Sequence, residues 1–352
     1  MNNHLKKSLE QNIIKINQEI EKFLPKKFDK KWLASIFGNT NWEFDEKACT
    51  EAIAKPVWNL LERGGKRWRP FLMQLSYEAV CKKKDSIQKF LILPELIHNG
   101  TLIIDDIEDN SELRRGHSCI HKLFGIDTAI NAGNSLYYLP VLSLIKDTSL
   151  SNETKIKVYE LLNKEMIKIS FGQGMDIYWH KGEKTDMNEN QYLQMCAYKT
   201  GALSRISAKL GVILGNGSEE QINAFGKFAE SIGIAFQIQD DILNITSKKI
   251  GKEFGEDLTE NKKTLMVIKT LEKAGENDKI RLLKILNLKT KDEKLIKEAI
   301  EIMEKYHSLE YAKSKAKRLV IDAWNKLAPL IKDSEAKKKL KLFANYLIKR
   351  DR

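Results

Sequence analysis

Apolar residues recur every three or four positions along most of this chain. The first run, Leu5, Leu9, Ile13, Ile16, Ile20 and Phe23, marks one face of a helix that ends at Pro25. Residues 26–45 break the period, and Trp32, Phe37 and Trp42 there indicate a packed loop or short helix. From residue 48 onward the helical period returns, and 85–104, 152–171, 188–214, 219–243, 258–274 and 292–306 all carry it. The alternation expected of a half-buried strand is nearly absent, so the pattern predicts an all-α fold. The last segment, 334–352, puts Leu340, Phe343, Tyr346 and Leu347 on one face and Lys337, Lys338 and Lys339 on another. Packing of that apolar face against a helical bundle is favoured over a place on a membrane surface.

A chain of 352 residues with only 6 prolines and no Pro/Gly/Ser-rich linker reads as one domain over 46–352, preceded by a helical extension over 1–45. No run approaches the roughly 18–20 apolar residues of a membrane helix, and Met1 to Lys7 lacks the apolar core of a signal peptide. A cytoplasmic protein is expected. Cys49, Cys81, Cys119 and Cys196 stand singly, without metal spacing, as buried thiols of a reducing compartment do. The net charge of +12 is spread through helical segments with no nucleic-acid recognition motif, which argues against nucleic acid. Polyanionic small molecules or an anionic membrane surface remain as partners.

Two acidic clusters change the picture. Asp105-Asp106-Ile107-Glu108-Asp109 follows the apolar Leu102-Ile103-Ile104, and Asp240-Asp241-Ile242-Leu243-Asn244 follows Ala235-Phe236-Gln237-Ile238. On a helix Asp105 and Asp109 stack one turn apart, flanked by Asp106. Two carboxylates about 6 Å apart repel by roughly 2.8 kcal/mol at an effective dielectric near 20. A hard cation offsets that, and Mg²⁺ in particular takes one or two carboxylates and completes its shell with water and substrate phosphate oxygens. Arg114 and Arg115, just beyond the first cluster, supply the guanidinium forks that suit phosphate.

Other segments fit the same chemistry. Gly64-Gly65-Lys66-Arg67-Trp68-Arg69-Pro70 sets cations beside a glycine pair that lets backbone approach an anion, without the spacing of a P-loop. His98 lies about two helical turns before Asp105, on the same face, where its imidazole can meet a second anion. Gly172-Gln173-Gly174-Met175-Asp176 adds a carboxylate, and Lys199-Thr200-Gly201 ends a helical stretch with a cation. Lys252, Asp257, Glu260 and Lys262 form a charged run after the second cluster, either a loop over the site or a solvated face.

In this order and spacing, from about residue 55 to 265, these motifs resemble the trans-isoprenyl diphosphate synthases, most closely those making geranylgeranyl diphosphate. The resemblance implies an all-α homodimer whose helical bundle surrounds a deep hydrophobic cavity. It implies Asp105, Asp106, Asp109, Asp240 and Asp241 as the Mg²⁺-binding carboxylates, with three ions per site. Arg114, Lys199, Lys252 and Lys262 would grip an allylic diphosphate, and Lys66, Arg69, His98 and Arg115 would hold isopentenyl diphosphate. Thr200 and Gln237 would stabilise the carbocation, with Gln173 and Asp176 in support. The implied reaction is ionisation of the allylic diphosphate, condensation with the isopentenyl double bond, and loss of a proton to the released diphosphate.

Asn244 stands where relatives carry Asp; it keeps an oxygen ligand and loses a charge, so weaker support for one ion is expected. Asn261 and Met266 stand where relatives have Gly and Pro. Gly100 and Thr101, one turn before Asp105, are small where an aromatic would stop growth at farnesyl. Geranylgeranyl diphosphate is therefore the expected product, with Tyr137 and Tyr138 as candidates for the cavity floor. A farnesyl or longer-chain synthase and a non-catalytic subunit of a heteromeric synthase are the alternatives. A terpene cyclase fails to explain Lys66 to Arg69. Transient membrane contact would serve product release.

Overall fold

The computed structural model describes residues 3–81, 87–182, 186–246 and 254–349. The chain opens with α1 (Asn3–Phe23) and α2 (Lys30–Phe37), then α3 (Glu46–Cys49) runs through a π-helical turn into α4 (Lys55–Glu62). Next come α5 (Trp68–Val80), α6 (Ile92–Glu108), the two-residue strands β1 (Leu113–Arg114) and β2 (His117–Ser118), α7 (Ile120–Phe124), α8 (Ile126–Tyr138) and α9 (Leu142–Ile145). The long helices α10 (Asn152–His180) and α13 (Glu219–Thr246) enclose α11 (Glu189–Lys199) and α12 (Gly201–Leu214) between them in sequence. The chain closes with α14 (Glu256–Thr259), α15 (Leu265–Lys273), α16 (Glu276–Asn287), α17 (Glu293–Lys305), α18 (Ser308–Leu327) and α19 (Glu335–Lys349). The expectation of an all-α fold holds: among the described residues the only strands are the two that pair antiparallel in one short hairpin.

Helix α12 lies at the centre, buried along nearly its whole length and packed on α5, α10 and α13. Gly211 makes its contact with α5 possible, because a Cβ there would sit 2.2 Å from the Met73 carbonyl. The N-terminal helix α1 buries Leu5, Leu9, Ile16 and Ile20 in the same continuous core and packs on α5, α6 and α19. At the other end α19 buries Leu340, Phe343 and Leu347 and rests on α5 and α13, as its amphipathic pattern predicts.

Three departures from simple periodicity build the functional end of the bundle. The apolar run 188–214 is two helices, because the chain turns at Thr200, and the turn directs Lys199 and Thr200 into the interior. Helix α10 continues past 171 to His180 despite Gly172 and Gly174. A Cβ on Gly172 would meet the Lys199 backbone nitrogen at 2.3 Å, so here glycine marks a close helix crossing instead of a helix end. The run 258–274 is also split. Asn261 takes a left-handed φ of 60°, which Asn tolerates better than most side chains, and Thr264 caps α15 by accepting from Val267 N.

Candidate active site

A cavity of about 760 Å³ opens between the C-terminal end of α6, the C-terminal part of α10, the α11–α12 turn and α13. That volume suits a substantial organic ligand. The first acidic cluster sits at the C-terminal end of α6, where the helix dipole already disfavours negative charge, so its carboxylates need cations. Lys199 Nζ lies 3.1 Å from Asp105 Oδ1 and 2.6 Å from Asp176 Oδ2. Lys262 Nζ lies 3.1 Å from Asp109 Oδ2, 2.6 Å from Glu260 and 3.8 Å from Asp257. Burial opposes the charge of both lysines, yet these carboxylates outweigh it and raise both pKa values. Asp176, although buried, is held below its ordinary value by Lys199 and Lys262.

The two acids at the head of the first cluster face different ways. Asp105 lines the cavity and accepts from Gln173 Nε2 at 3.2 Å. Asp106 is 1 % exposed and absent from the cavity wall; it receives the Arg114 guanidinium through Nε at 2.7 Å and through Nη2. Burial pushes Asp106 up while Arg114 pulls it back down. The hairpin sets this arrangement, since its turn uses Arg115 at φ 54° and Gly116 at φ 76°. Arg114, the last residue of β1, reaches Asp106, while the left-handed turn sends Arg115 to the Leu60 carbonyl at 3.1 Å and to the Gly64 carbonyl.

The second cluster differs again. Asp240 lines the cavity. Asp241 is buried, accepting from Tyr192 Oη at 2.7 Å and from Gln237 Nε2 at 2.9 Å, and Gln237 Oε1 accepts from Thr200 Oγ1 at 2.8 Å. Thr200 and Gln237 are therefore brought together and fixed in orientation. Asn244 also lines the cavity, and its side-chain oxygen is already engaged. Its Oδ1 accepts from Asp257 N at 3.2 Å and its backbone carbonyl from Gly255 N at 3.0 Å, so it ties the 255–257 segment over the site.

Lys66, Arg69, His98 and Arg115 line the opposite part of the same cavity. Burial, then Arg69, Arg115, Arg114 and Arg67, hold His98 well below its usual pKa, so its imidazole is neutral. Burial and Arg67 bring Arg115 down to about 10, still charged near neutral pH. Lys252 lies outside the described residues.

Toward the apolar end the wall is made by Thr101, Ile104, Tyr137 and Ile169. Two expectations are corrected there. Gly100 faces α8 and not the cavity: a Cβ on it would stand 2.7 Å from the Gly133 carbonyl and 3.0 Å from Tyr137 Cε1. Tyr138 is 74 % exposed and is not among the residues lining the cavity, whereas Tyr137 is. Sequence reading missed Tyr192 as the partner of Asp241. Nothing in a helical period marks a tyrosine whose hydroxyl meets an acid 49 residues away.

Among the described residues no three acidic, histidine or cysteine side chains converge closely enough to hold an ion unaided. What the cavity offers is carboxylates on two facing helices, with Asp109 Oδ1 buried and unpartnered among the described residues. That donor set fits Mg²⁺ completed by phosphate oxygens.

A pH dependence follows for the metal-free protein. Burial first, then the Asp257 carboxylate, push Asp241 up to about 7 from an ordinary 3.8. The folded state thus binds this proton more tightly than the unfolded state, and the stability it contributes is present at low pH and lost as pH rises through 7. Thermal melts without divalent ions should decline between about pH 4 and pH 7, and Asp241→Asn should flatten that decline and raise Tm at pH 8 by about 2 °C or more. An unchanged slope in the variant contradicts the assignment.

Comparison with known proteins agrees with this geometry. The polyprenyl synthetase family model matches residues 50–303. The short chain isoprenyl diphosphate synthase of Methanothermobacter thermautotrophicus is 37% identical over 305 residues, 86% of this chain and 91% of that protein. The geranylgeranyl diphosphate synthase of Sulfolobus acidocaldarius is 33% identical over 297 residues, covering 83% of this chain and 89% of its own. The crystal structure of geranylgeranyl pyrophosphate synthetase from Pyrococcus horikoshii superposes with a TM-score of 0.85 at 31% identity over 99% of both chains. With its motifs, its helical architecture and its cavity all in agreement, the chain belongs to the polyprenyl synthetase family of prenyltransferases.

Proposed function

We propose that the enzyme condenses isopentenyl diphosphate with an allylic diphosphate to give geranylgeranyl diphosphate. The observation that carries this reading is a single cavity with carboxylates and lysines at its mouth, a second cationic pocket beside them and an apolar arm below. Asp105, Asp109 and Asp240 would hold Mg²⁺, which polarises the leaving diphosphate as an electrostatic stabiliser. Lys199, Lys262 and Arg114 grip the allylic diphosphate, with Lys252 joining them by family resemblance. Asp106 serves mainly to hold Arg114, and Asp241 to hold Gln237.

Isopentenyl diphosphate takes the pocket of Lys66, Arg69, His98 and Arg115. The allylic C–O bond breaks and releases diphosphate, the isopentenyl double bond closes on the allylic cation, and the tertiary cation so formed loses a proton to the released diphosphate as the new double bond forms. The Thr200 and Gln237 oxygens present their dipoles to the cation, and apolar walls exclude the water that would quench it. The growing chain descends past Thr101 and Ile104 until it meets Tyr137.

A second copy of the chain is the natural cover for the outer face. Ile126, Ile130 and Tyr138 lie along one edge of α8, and Ile167, Phe171 and Tyr178 along α10, all exposed. Apolar surface of this extent on a soluble domain marks an interaction site, most simply a two-fold symmetric one. No helix of the described residues is long and apolar enough to cross a membrane. A cytoplasmic location accords with that, and membrane contact would be confined to release of the amphiphilic product.

Two measurements test the reading. Asp105→Ala should lower kcat by at least about 10²-fold with the fold intact by circular dichroism, as loss of an electrostatic stabiliser does; near-normal turnover refutes the role. Incubation with radiolabelled isopentenyl diphosphate and farnesyl diphosphate should yield geranylgeranyl diphosphate, and Tyr137→Ala should shift the products to longer chains. Products that stop at farnesyl, or run far past geranylgeranyl in the unaltered enzyme, contradict it.

A further inference from the structure

Behind Lys66, Arg69 and Arg115 lies a layer of buried polar groups that the reaction itself does not use. Arg67 sits in the left-handed region at φ 45° and is 3 % exposed. All three guanidinium nitrogens are engaged: Nη1 with Glu95 Oε1 at 2.7 Å, Nη2 with the Leu61 carbonyl at 3.0 Å, and Nε with Asn17 Oδ1 at 3.1 Å. Glu95, 2 % exposed, lies one turn before His98 on α6. Asn99, fully buried, donates its Nδ2 to Glu95 Oε1 at 2.9 Å, and its Oδ1 faces Arg115 Nη2 at 3.4 Å.

Gly65 is wedged between the two arginines. A Cβ on it would stand 3.2 Å from both Arg115 Nη2 and Arg67 Nη1. A buried guanidinium and a half-buried one this close to one backbone position repel, and an unpaired buried charge is strongly unfavourable. Glu95 supplies the counter-charge, and Asn99 links that counter-charge to Arg115. The backbone of Gly64 and Gly65, which presents Lys66, therefore takes its position from a chain of bonds that runs from the exposed Asn17 through the buried Arg67, Glu95 and Asn99 to the half-buried Arg115.

We propose that Arg67, Glu95 and Asn99 are positioning residues for the isopentenyl diphosphate pocket, and that through Asn17 the N-terminal helix α1 is a working part of it. The proposal rests on the assignment of Lys66, Arg69, His98 and Arg115 to that substrate. It gives α1, which lies before the 50–303 match to the family, a function beyond filling the core. The isopentenyl site and not the allylic site depends on it, because among the described residues Lys199 pairs with Asp105 and Asp176, and Lys262 with Asp109, Asp257 and Glu260, none of them a member of this chain of groups.

The test is steady-state kinetics that separates the two substrates, with Tm and circular dichroism alongside. Asn99→Leu removes both the donor to Glu95 and the acceptor for Arg115; it should raise KM for isopentenyl diphosphate by about tenfold or more, as loss of a hydrogen bond to a charged group does. KM for the allylic diphosphate should stay within about twofold. Asn17→Leu, at the exposed end of the chain of bonds, should move KM in the same direction by a smaller factor. Asn17→Asp should restore it, since a carboxylate still accepts from Arg67 Nε. Variants that lower Tm while leaving KM for isopentenyl diphosphate unchanged, or that raise both KM values equally, overturn the proposal. Lys66→Ala distinguishes the two possible failures. A rise in that variant with none in Asn99→Leu or Asn17→Leu defeats the positioning role alone; no rise in any of them defeats the pocket assignment, and the positioning role with it.

Discussion

Two partly buried ammonium groups hold the mouth of the cavity together. Lys199 reaches Asp105 on α6 and Asp176 on α10, and Lys262 reaches Asp109 on α6 and Glu260 beyond α14. Without them, carboxylates from three parts of the chain would crowd at a helix C-terminus that already repels negative charge. Each lysine is buried at a cost that only its paired acids offset, so neither the cations nor the anions are stable there alone. The same balance poises the site for its substrate, because a diphosphate brings negative oxygens for the lysines and, with Mg²⁺, positive charge for the acids.

The backbone around this balance is shaped to deliver those side chains. The turn at Thr200 aims Lys199 inward, and Gly172 lets α10 approach the end of α11 closely enough for Asp176 to meet it. The hairpin turn at Arg115 and Gly116 separates two adjacent arginines, sending one to Asp106 and the other to the Gly64 carbonyl. The two acidic clusters are consequently unequal. In the first, Asp105, Asp106 and Asp109 each meet a cation, whereas in the second Asp241 is locked by Tyr192 and Gln237 and Asn244 anchors the 255–257 segment. An acid at 244 would add a third negative charge beside Asp241 and Asp257, so Asn there relieves repulsion.

Much of this was legible in the chain before any coordinates. Helical periodicity carried the all-α architecture, and the amphipathic face of α19 correctly indicated docking to the bundle. The motifs singled out Asp105, Asp109, His98 and Asp240, and all four line the one cavity. What was not legible depends on the third dimension. Gly100 looked like a small wall residue because it precedes Asp105, yet it is consumed by contact with Gly133 on α8. Asp106 looked like a ligand equal to Asp105, but a helix turns successive side chains by about 100°, and that rotation carries it to Arg114. The pairing of Arg67 with Glu95 joins residues 28 apart, and no local pattern announces a buried ion pair of that kind.

The central claim is that Lys199 and Lys262 exchange carboxylate partners for phosphate when substrate arrives. The most direct measurement is a crystal structure of the enzyme with Mg²⁺ and an unreactive allylic thiodiphosphate. The account predicts ions bridging Asp105, Asp109 and Asp240 to the diphosphate, with both lysine ammonium groups turned onto its oxygens and Asp106 still bound to Arg114. A diphosphate held elsewhere, with Lys199 still on Asp105 and Lys262 still on Asp109, would contradict it.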